Sequence, residues 1–209
     1  MPIYTTMKRV LLLLCAALIA IAPLSAQQSY NSRAIHKMAK KEAKRVAKEG
    51  YELRESGDLE VLMAEHYERL FSETAIEFVG VEEGNKRLNV AISKARRSVL
   101  SECVGYASSV IKGRITTDIS VEGAEQMDRF LATYERHAST GMDGQIRTSF
   151  TLVRYDKKSE KYDVKLVCYV ERDAMNQMLR QSLKRAAEET MIAQEYEAKL
   201  SEFIDDDKN

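Results

Sequence analysis

Histidines are the side chains best suited to acid–base chemistry or metal binding near neutral pH, and this sequence has three: His36, His66 and His137. A helical metal site of the HEXXH type needs a second histidine one turn away, and none of the three has one. His66 is flanked by Glu65 and Glu68, which fit a solvated helix face. We therefore expect all three histidines to be ordinary structural or surface residues.

The other common catalytic patterns are missing from the sequence. It contains no GxxxxGK[ST] or GxGxxG phosphate loop and no GxSxG nucleophile elbow. Among the serines on or near one predicted helix, we considered four as nucleophiles, and none has a marked base partner: Ser98, Ser101, Ser108 and Ser109. We predict a protein that is not an enzyme, with no cofactor, no catalytic residues and no metal site.

The N-terminal 26 residues have the pattern of a secretory signal peptide. Lys8 and Arg9 precede a 13-residue apolar run, Val10–Ala22, and a small residue, Ala26, follows at the expected cleavage site. The run is shorter than the roughly 20 residues of a transmembrane helix, so a retained anchor is the lesser alternative. We predict an exported protein, located in the periplasm or at the outer-membrane periphery.

Two cysteines, Cys103 and Cys168, remain after cleavage, 65 positions apart in the sequence. In an oxidising compartment they could form a disulfide, which would add about 4 kcal/mol of stability in the chain-entropy model. Both also fall on predicted apolar faces, where free cysteines pack as small hydrophobic residues. The sequence leaves both alternatives open.

Charge is balanced overall but uneven along the chain. The sequence has 32 Lys and Arg and 32 Asp and Glu, which argues against a nucleic-acid partner. Between Arg33 and Lys48, seven basic residues accompany one glutamate. Such a helix either contacts an anionic partner or membrane surface or is merely solvated. The candidate contact residues are Lys37, Lys40, Lys41, Lys44, Arg45 and Lys48.

Apolar periodicity predicts an α+β fold: a small, mixed or antiparallel sheet of about four strands, covered on one face by helices. Helices are predicted over 31–56, 59–71, 86–112 (ended by Gly113), 122–138 and 173–203. Strands are predicted over 75–81, 114–121, 146–152 and 164–170, the first followed by a turn at 82–85. The last two strands form a hairpin, and the small-residue stripe of helix 86–112 allows close approach to a sheet.

These elements divide the chain into five parts: a signal peptide (1–26), an N-terminal helical segment (27–72), an α+β domain (73–172), a long C-terminal helix (173–204) and an acidic tail (205–209). The two helical parts are expected as extensions of the domain. The last helix is longer than one small sheet can cover, so we expect its far end to project. We also expect that deleting Met175–Phe203 leaves the hairpin domain folded.

Several segments resemble a known family. They are the strand AIEFVGV, the helix NVAISKARRSVLSECVGYASSVIKG, the strand YDVKLVCYV and the early helix KMAKKEAKR, Lys37–Arg45. The matching positions are Asn89, Ala91, Ala95, Arg96, Val99, Val164, Leu166 and Val170. Over residues 75–172 the chain resembles the domain of small Gram-negative outer-membrane lipoproteins of about twenty kilodaltons. That domain is itself similar to the N-terminal domain of a flagellar outer-ring assembly protein. Within that group the chain is most similar to an uncharacterised branch of exported proteins that have a KMAKKEAKR-type helix after the signal.

The resemblance implies an α+β envelope domain that binds or assembles rather than catalyses, and it brings no site residues with it. The chain departs from the lipoproteins at Cys15, which follows Leu14 instead of the small residue that lipidation requires.

We therefore expect a non-catalytic assembly or protein-interaction module of the cell envelope. Its partner would be another envelope protein, and peripheral membrane contact and a homo-oligomer are both compatible with the sequence. The alternative is a periplasmic small-molecule or lipid binding module with a cavity between sheet and long helix, lined by Phe150, Leu152 and Val99.

Overall fold

A computed structural model describes residues 32–118 and 124–190 of the chain. In these residues five helices accompany one four-stranded antiparallel sheet, which confirms the α+β class. The helices are α1 Ser32–Lys48, α2 Leu59–Phe71, α3 Leu88–Asp118, α4 Ala124–Met142 and α5 Arg172–Thr190. The strands are β1 Glu52–Leu53, β2 Ala75–Asn85, β3 Arg147–Asp156 and β4 Lys161–Glu171.

The sheet has the strand order β1-β3-β4-β2, and every neighbouring pair is antiparallel. The predicted hairpin is present as β3 and β4. The short edge strand β1 pairs with β3, Glu52 lying opposite Val153. The segment expected to be an N-terminal extension therefore contributes one strand to the sheet.

Helices cover both faces of this sheet, not one as the sequence analysis expected. Alternate side chains of β4 point to opposite faces: Leu166 and Cys168 pack with α3, α4 and α5, whereas Val167 packs with α1 and α2. The described part of the chain folds as three layers because α1 and α2 have apolar sides of their own to bury, carried by residues such as Ile35 and Met63.

The predicted strand over 114–121 is wrong where it can be checked. Helix α3 continues through Gly113 to Asp118, and residues 119–123 lie outside the described part. The β-branched residues of RITTD favour a strand only weakly, and a helix tolerates an internal glycine at a cost of about 1 kcal/mol. The fourth strand is β1 instead, which is too short to show alternation in the sequence.

Two other predicted boundaries move for local reasons. The first helix ends at Lys48 rather than Ser56, because Gly50 adopts a left-handed conformation (φ 81°) that stops a helix. The predicted turn over 82–85 belongs to β2, which continues to Asn85 with a bulge between Glu82 and Asn85.

Helix α5 is part of the core as far as the structure describes it. Met175, Leu179, Leu183 and Ala186 are buried in the cluster that α3 and α4 share with the sheet. Deleting 175–203 would remove this buried layer, so we now predict that the deletion destabilises the hairpin domain. The predicted stretch beyond Thr190, including the acidic tail, lies outside the described residues.

Helix α3 lies unusually close to the sheet at one point. A methyl group added at Gly80 of β2 would come within 2.0 Å of the Ala95 carbonyl oxygen and 2.8 Å of a Val99 methyl. The facing side of α3 is fully buried and mostly small, consisting of Ala91, Ala95, Val99, Cys103 and Ala107. The predicted stripe is thus confirmed as a core surface, and Gly80 is its counterpart on the strand.

Substituting Gly80→Ala should therefore lower the free energy of unfolding by about 3 kcal/mol, because backbone atoms of α3 cannot move aside as a flexible side chain would. Urea unfolding measures the loss. Gly105→Ala in the same helix is the control: its added methyl meets nothing within 4 Å, so helix propensity should make that variant more stable by up to about 1 kcal/mol. Equal stability of the two variants would contradict the close-approach explanation.

Candidate functional site

A buried histidine joins three elements on the α1–α2 side of the sheet. His66 of α2 is 1% exposed. Its Nδ1 lies 2.8 Å from the Ser149 hydroxyl of β3, and its Nε2 lies 2.6 Å from a Glu77 carboxylate oxygen of β2. Because β4 lies between β2 and β3, one imidazole links α2 to two strands that do not touch each other.

The local sequence explains how these side chains meet. His66 is on the buried side of α2, three residues after Met63. Glu77 faces the same layer as Val79, two residues on. Ser149 sits at the irregularity in β3 between Thr148 and Phe150.

Sequence reasoning missed this cluster for two reasons. Glu65 and Glu68 flank His66 in the sequence, but the carboxylate that contacts the ring belongs to Glu77, 11 positions away. Regular alternation over 146–152 would put Ser149 and Phe150 on opposite faces, and the irregularity at Ser149 changes which side chains share a face. The one available signal was that His66 continues the helical spacing of Met63 and Leu59.

Serine, histidine and glutamate are also the groups of a hydrolase triad, in which the imidazole removes a proton from the serine. Here the ring is enclosed by Tyr67 and Phe150, with ring centroids 6.0 and 5.9 Å away. The ring itself is 1% exposed, whereas Ser149 is half-buried and 39% of the Glu77 side chain is exposed. The arrangement is thus suited to fixing α2 on the sheet.

Replacing His66→Ala should lower the free energy of unfolding by about 2–4 kcal/mol, because it leaves a cavity and removes two hydrogen bonds. Chemical denaturation measures this. His137→Ala is the matched control: it also removes a histidine–glutamate contact, 3.0 Å to Glu189, but in a more exposed setting, and should change stability little. A His66 variant as stable as the control would rule out the fastening role.

At the opposite end of the same layer, a second cluster fixes the end of α1. The buried ring of Tyr51 lies beneath two cations, with Arg154 4.9 Å and Lys165 4.3 Å from its centroid. Arg154 also pairs with Asp163 at 2.7 Å and donates to the Glu49 carbonyl oxygen. These contacts tie the segment after α1 to β3 and β4, so they set the orientation of α1.

The outward side of α1 carries the candidate lysines. Lys37, Lys41, Lys44 and Lys48 recur at steps of four, three and four residues, which places them along one face of a helix. The buried residues Ile35, Ala39 and Val46 lie about 180° round the helix at 3.6 residues per turn. All six predicted residues are exposed.

These four lysines and the neighbouring Lys40 together form what we call the basic face: Lys37, Lys40, Lys41, Lys44 and Lys48. None of the five forms an ion pair with any residue in the described part of the chain. Arg45 differs, because it pairs with both Glu42 and Glu49. Its hydrogen bond holds the pKa of Glu42 below the usual range, and the same bond raises the pKa of Arg45. Arg45 therefore has intramolecular partners, and the basic face has a net positive charge to offer.

The two cysteines are buried free thiols within one core cluster. Burial raises the pKa of Cys103 to about 12, with the neighbouring Cys168 adding to the effect, and burial also raises the pKa of Cys168. Since the thiolate is the reactive form, both groups are held protonated and unreactive while the protein is folded.

In the native mature protein both thiols should therefore react with a disulfide reagent such as DTNB two to three orders of magnitude more slowly than in denaturant. The time course at pH 8, with and without guanidinium, measures this. If the purified protein instead lacks free thiols after unfolding and is two hydrogens lighter by mass spectrometry, the cysteines form a disulfide.

The cavity suggested for a small ligand does not have the predicted lining. Val99 is in the cluster on the α3 side of the sheet, while Phe150 and Leu152 are in the cluster on the α1–α2 side. The sheet separates them, so they cannot line one cavity.

Two further properties concern the described residues alone. None of their helices is long and apolar enough to span a membrane. They also contain no group of three or more His, Cys, Asp or Glu side chains placed to bind a metal ion.

Comparison with known proteins adds no relative: no protein-family model, no curated protein and no solved structure matches this chain.

Proposed function

We propose that this is an exported cell-envelope protein that acts as a non-catalytic assembly or protein-interaction module, in the periplasm or at the outer-membrane periphery. The basic face of α1 carries this proposal. Five lysines without described ion-pair partners occupy one side of a helix whose other side is fixed to the sheet. A positive surface held in this way is suited to bind an anionic partner.

Three observations support a non-catalytic role in the cell envelope. The polar cluster around His66 joins structural elements and is enclosed by aromatic rings. The signal-like pattern of residues 1–26 favours export, and the resemblance to envelope lipoprotein domains favours assembly over catalysis.

Reversing three charges of the basic face, Lys37→Glu, Lys41→Glu and Lys44→Glu, should abolish partner binding without unfolding the protein, because all three side chains are exposed. The matched control reverses three exposed lysines elsewhere: Lys157→Glu, Lys158→Glu and Lys184→Glu. Both variants change the net charge equally, so a difference between them reports the location of the charge.

The measurement is crosslinking in the native cell, followed by capture of each tagged protein and identification of what is bound. We expect a partner in fixed ratio with the wild type and the control, and its loss with the basic-face variant. Equal recovery from all three proteins would overturn the assignment of the surface. A protein that keeps residues 1–26 and stays in the cytoplasm would overturn the envelope assignment.

A further inference from the structure

The chain itself carries a charge complement to the basic face. Residues 191–209, which follow the described end of α5, contain six acidic and two basic residues. The acidic residues are Glu195, Glu197, Glu202, Asp205, Asp206 and Asp207. The strongest negative segment thus lies at the end of the chain opposite to the strongest positive one.

The spacing of the two charge sets also agrees. On α1, Lys37 and Lys44 are seven positions apart, as are Lys41 and Lys48. Glu195 and Glu202 are likewise seven positions apart in the sequence. The stretch from Lys37 to Lys48 covers about 17 Å at 1.5 Å per residue, and 19 residues are long enough to follow it in any backbone conformation.

The three-layer architecture places α1 and α5 on different sides of the sheet. The buried side of α1 belongs to the cluster that includes Phe150 and Val167. Helix α5, from which the acidic segment continues, belongs to the cluster on the other face. A contact between different surfaces of identical chains joins copies head to tail, and the copies form a ring if the rotation closes or an open filament if it does not.

We propose that the basic face of α1 binds the acidic C-terminal segment, residues 191–209, of a second copy of this chain. This inference rests on the proposed function and names the partner: the assembly is a head-to-tail oligomer of the protein itself. Exposed ion pairs are individually weak and screened by salt, so the oligomer forms at high local concentration and dissociates as ionic strength rises.

The test is sedimentation equilibrium of the mature protein, residues 27–209, in low and high salt. We expect species larger than the monomer at about 0.05 M salt and an association constant at least tenfold lower at about 0.5 M. A wild-type protein that is monomeric at both concentrations, or whose association is indifferent to salt, would overturn the proposal.

A pair of charge-reversed variants distinguishes loss of this ionic contact from loss of folding. One variant carries Lys37→Glu, Lys41→Glu and Lys44→Glu, and the other carries Glu195→Lys, Glu202→Lys and Asp206→Lys. Each alone should be monomeric, because its two surfaces then have the same sign. Mixed in equal amounts they should associate again, since the acidic face of the first can bind the basic segment of the second. Failure of the mixture to associate would overturn the proposal.

Vesicles distinguish the main competing occupant. Two results together would show that the basic face binds membrane and that the self-pairing proposal is wrong. The first is loss of binding to vesicles containing phosphatidylglycerol by the basic-face variant. The second is self-association by the variant with residues 195, 202 and 206 reversed that is as strong as that of the wild type. That result would leave the interaction module intact. If the wild-type protein neither self-associates nor captures any partner in the cell, both the self-pairing proposal and the proposed interaction module are wrong.

Discussion

The contact between Gly80 and the backbone of α3 is the constraint on which the rest of the fold depends. A strand and a helix can approach this closely only when neither carries a bulky side chain at the point of contact. Gly80 supplies one half of that condition and Ala95 the other. With α3 fixed in this way, α4 and α5 pack beside it on the same face and complete one core.

The opposite face is built by a different principle. Helices α1 and α2 are held by a few specific polar contacts in addition to their apolar sides. His66 fixes α2 near one end of the layer, and the cations above Tyr51 fix the end of α1 near the other. The orientation of this layer is therefore fixed at both ends. As a result, the outer side of α1 holds the lysines of the basic face in a constant arrangement.

The sequence predicts the α+β class, the hairpin and the small-residue side of α3 because each depends on regular spacing within one element. It does not predict β1, since two residues cannot show alternation, or the helical course of residues 114–118, since β-branched residues have only a weak preference for strands. The candidate lysines are found because charge density is local. The His66 cluster is not, because Glu77 and Ser149 reach it only through the tertiary fold.

The strand order has a consequence for how the chain reaches its folded state. Strand β4 is the last strand in the sequence, yet it lies inside the sheet and pairs with both β2 and β3. Strand β1 finds its partner about a hundred positions later in the chain, a separation that slows folding. A nascent chain that emerges N-terminus first thus cannot close its sheet until residue 171 is free. Both core clusters include residues of β4, so neither core can be completed before that strand has been synthesised.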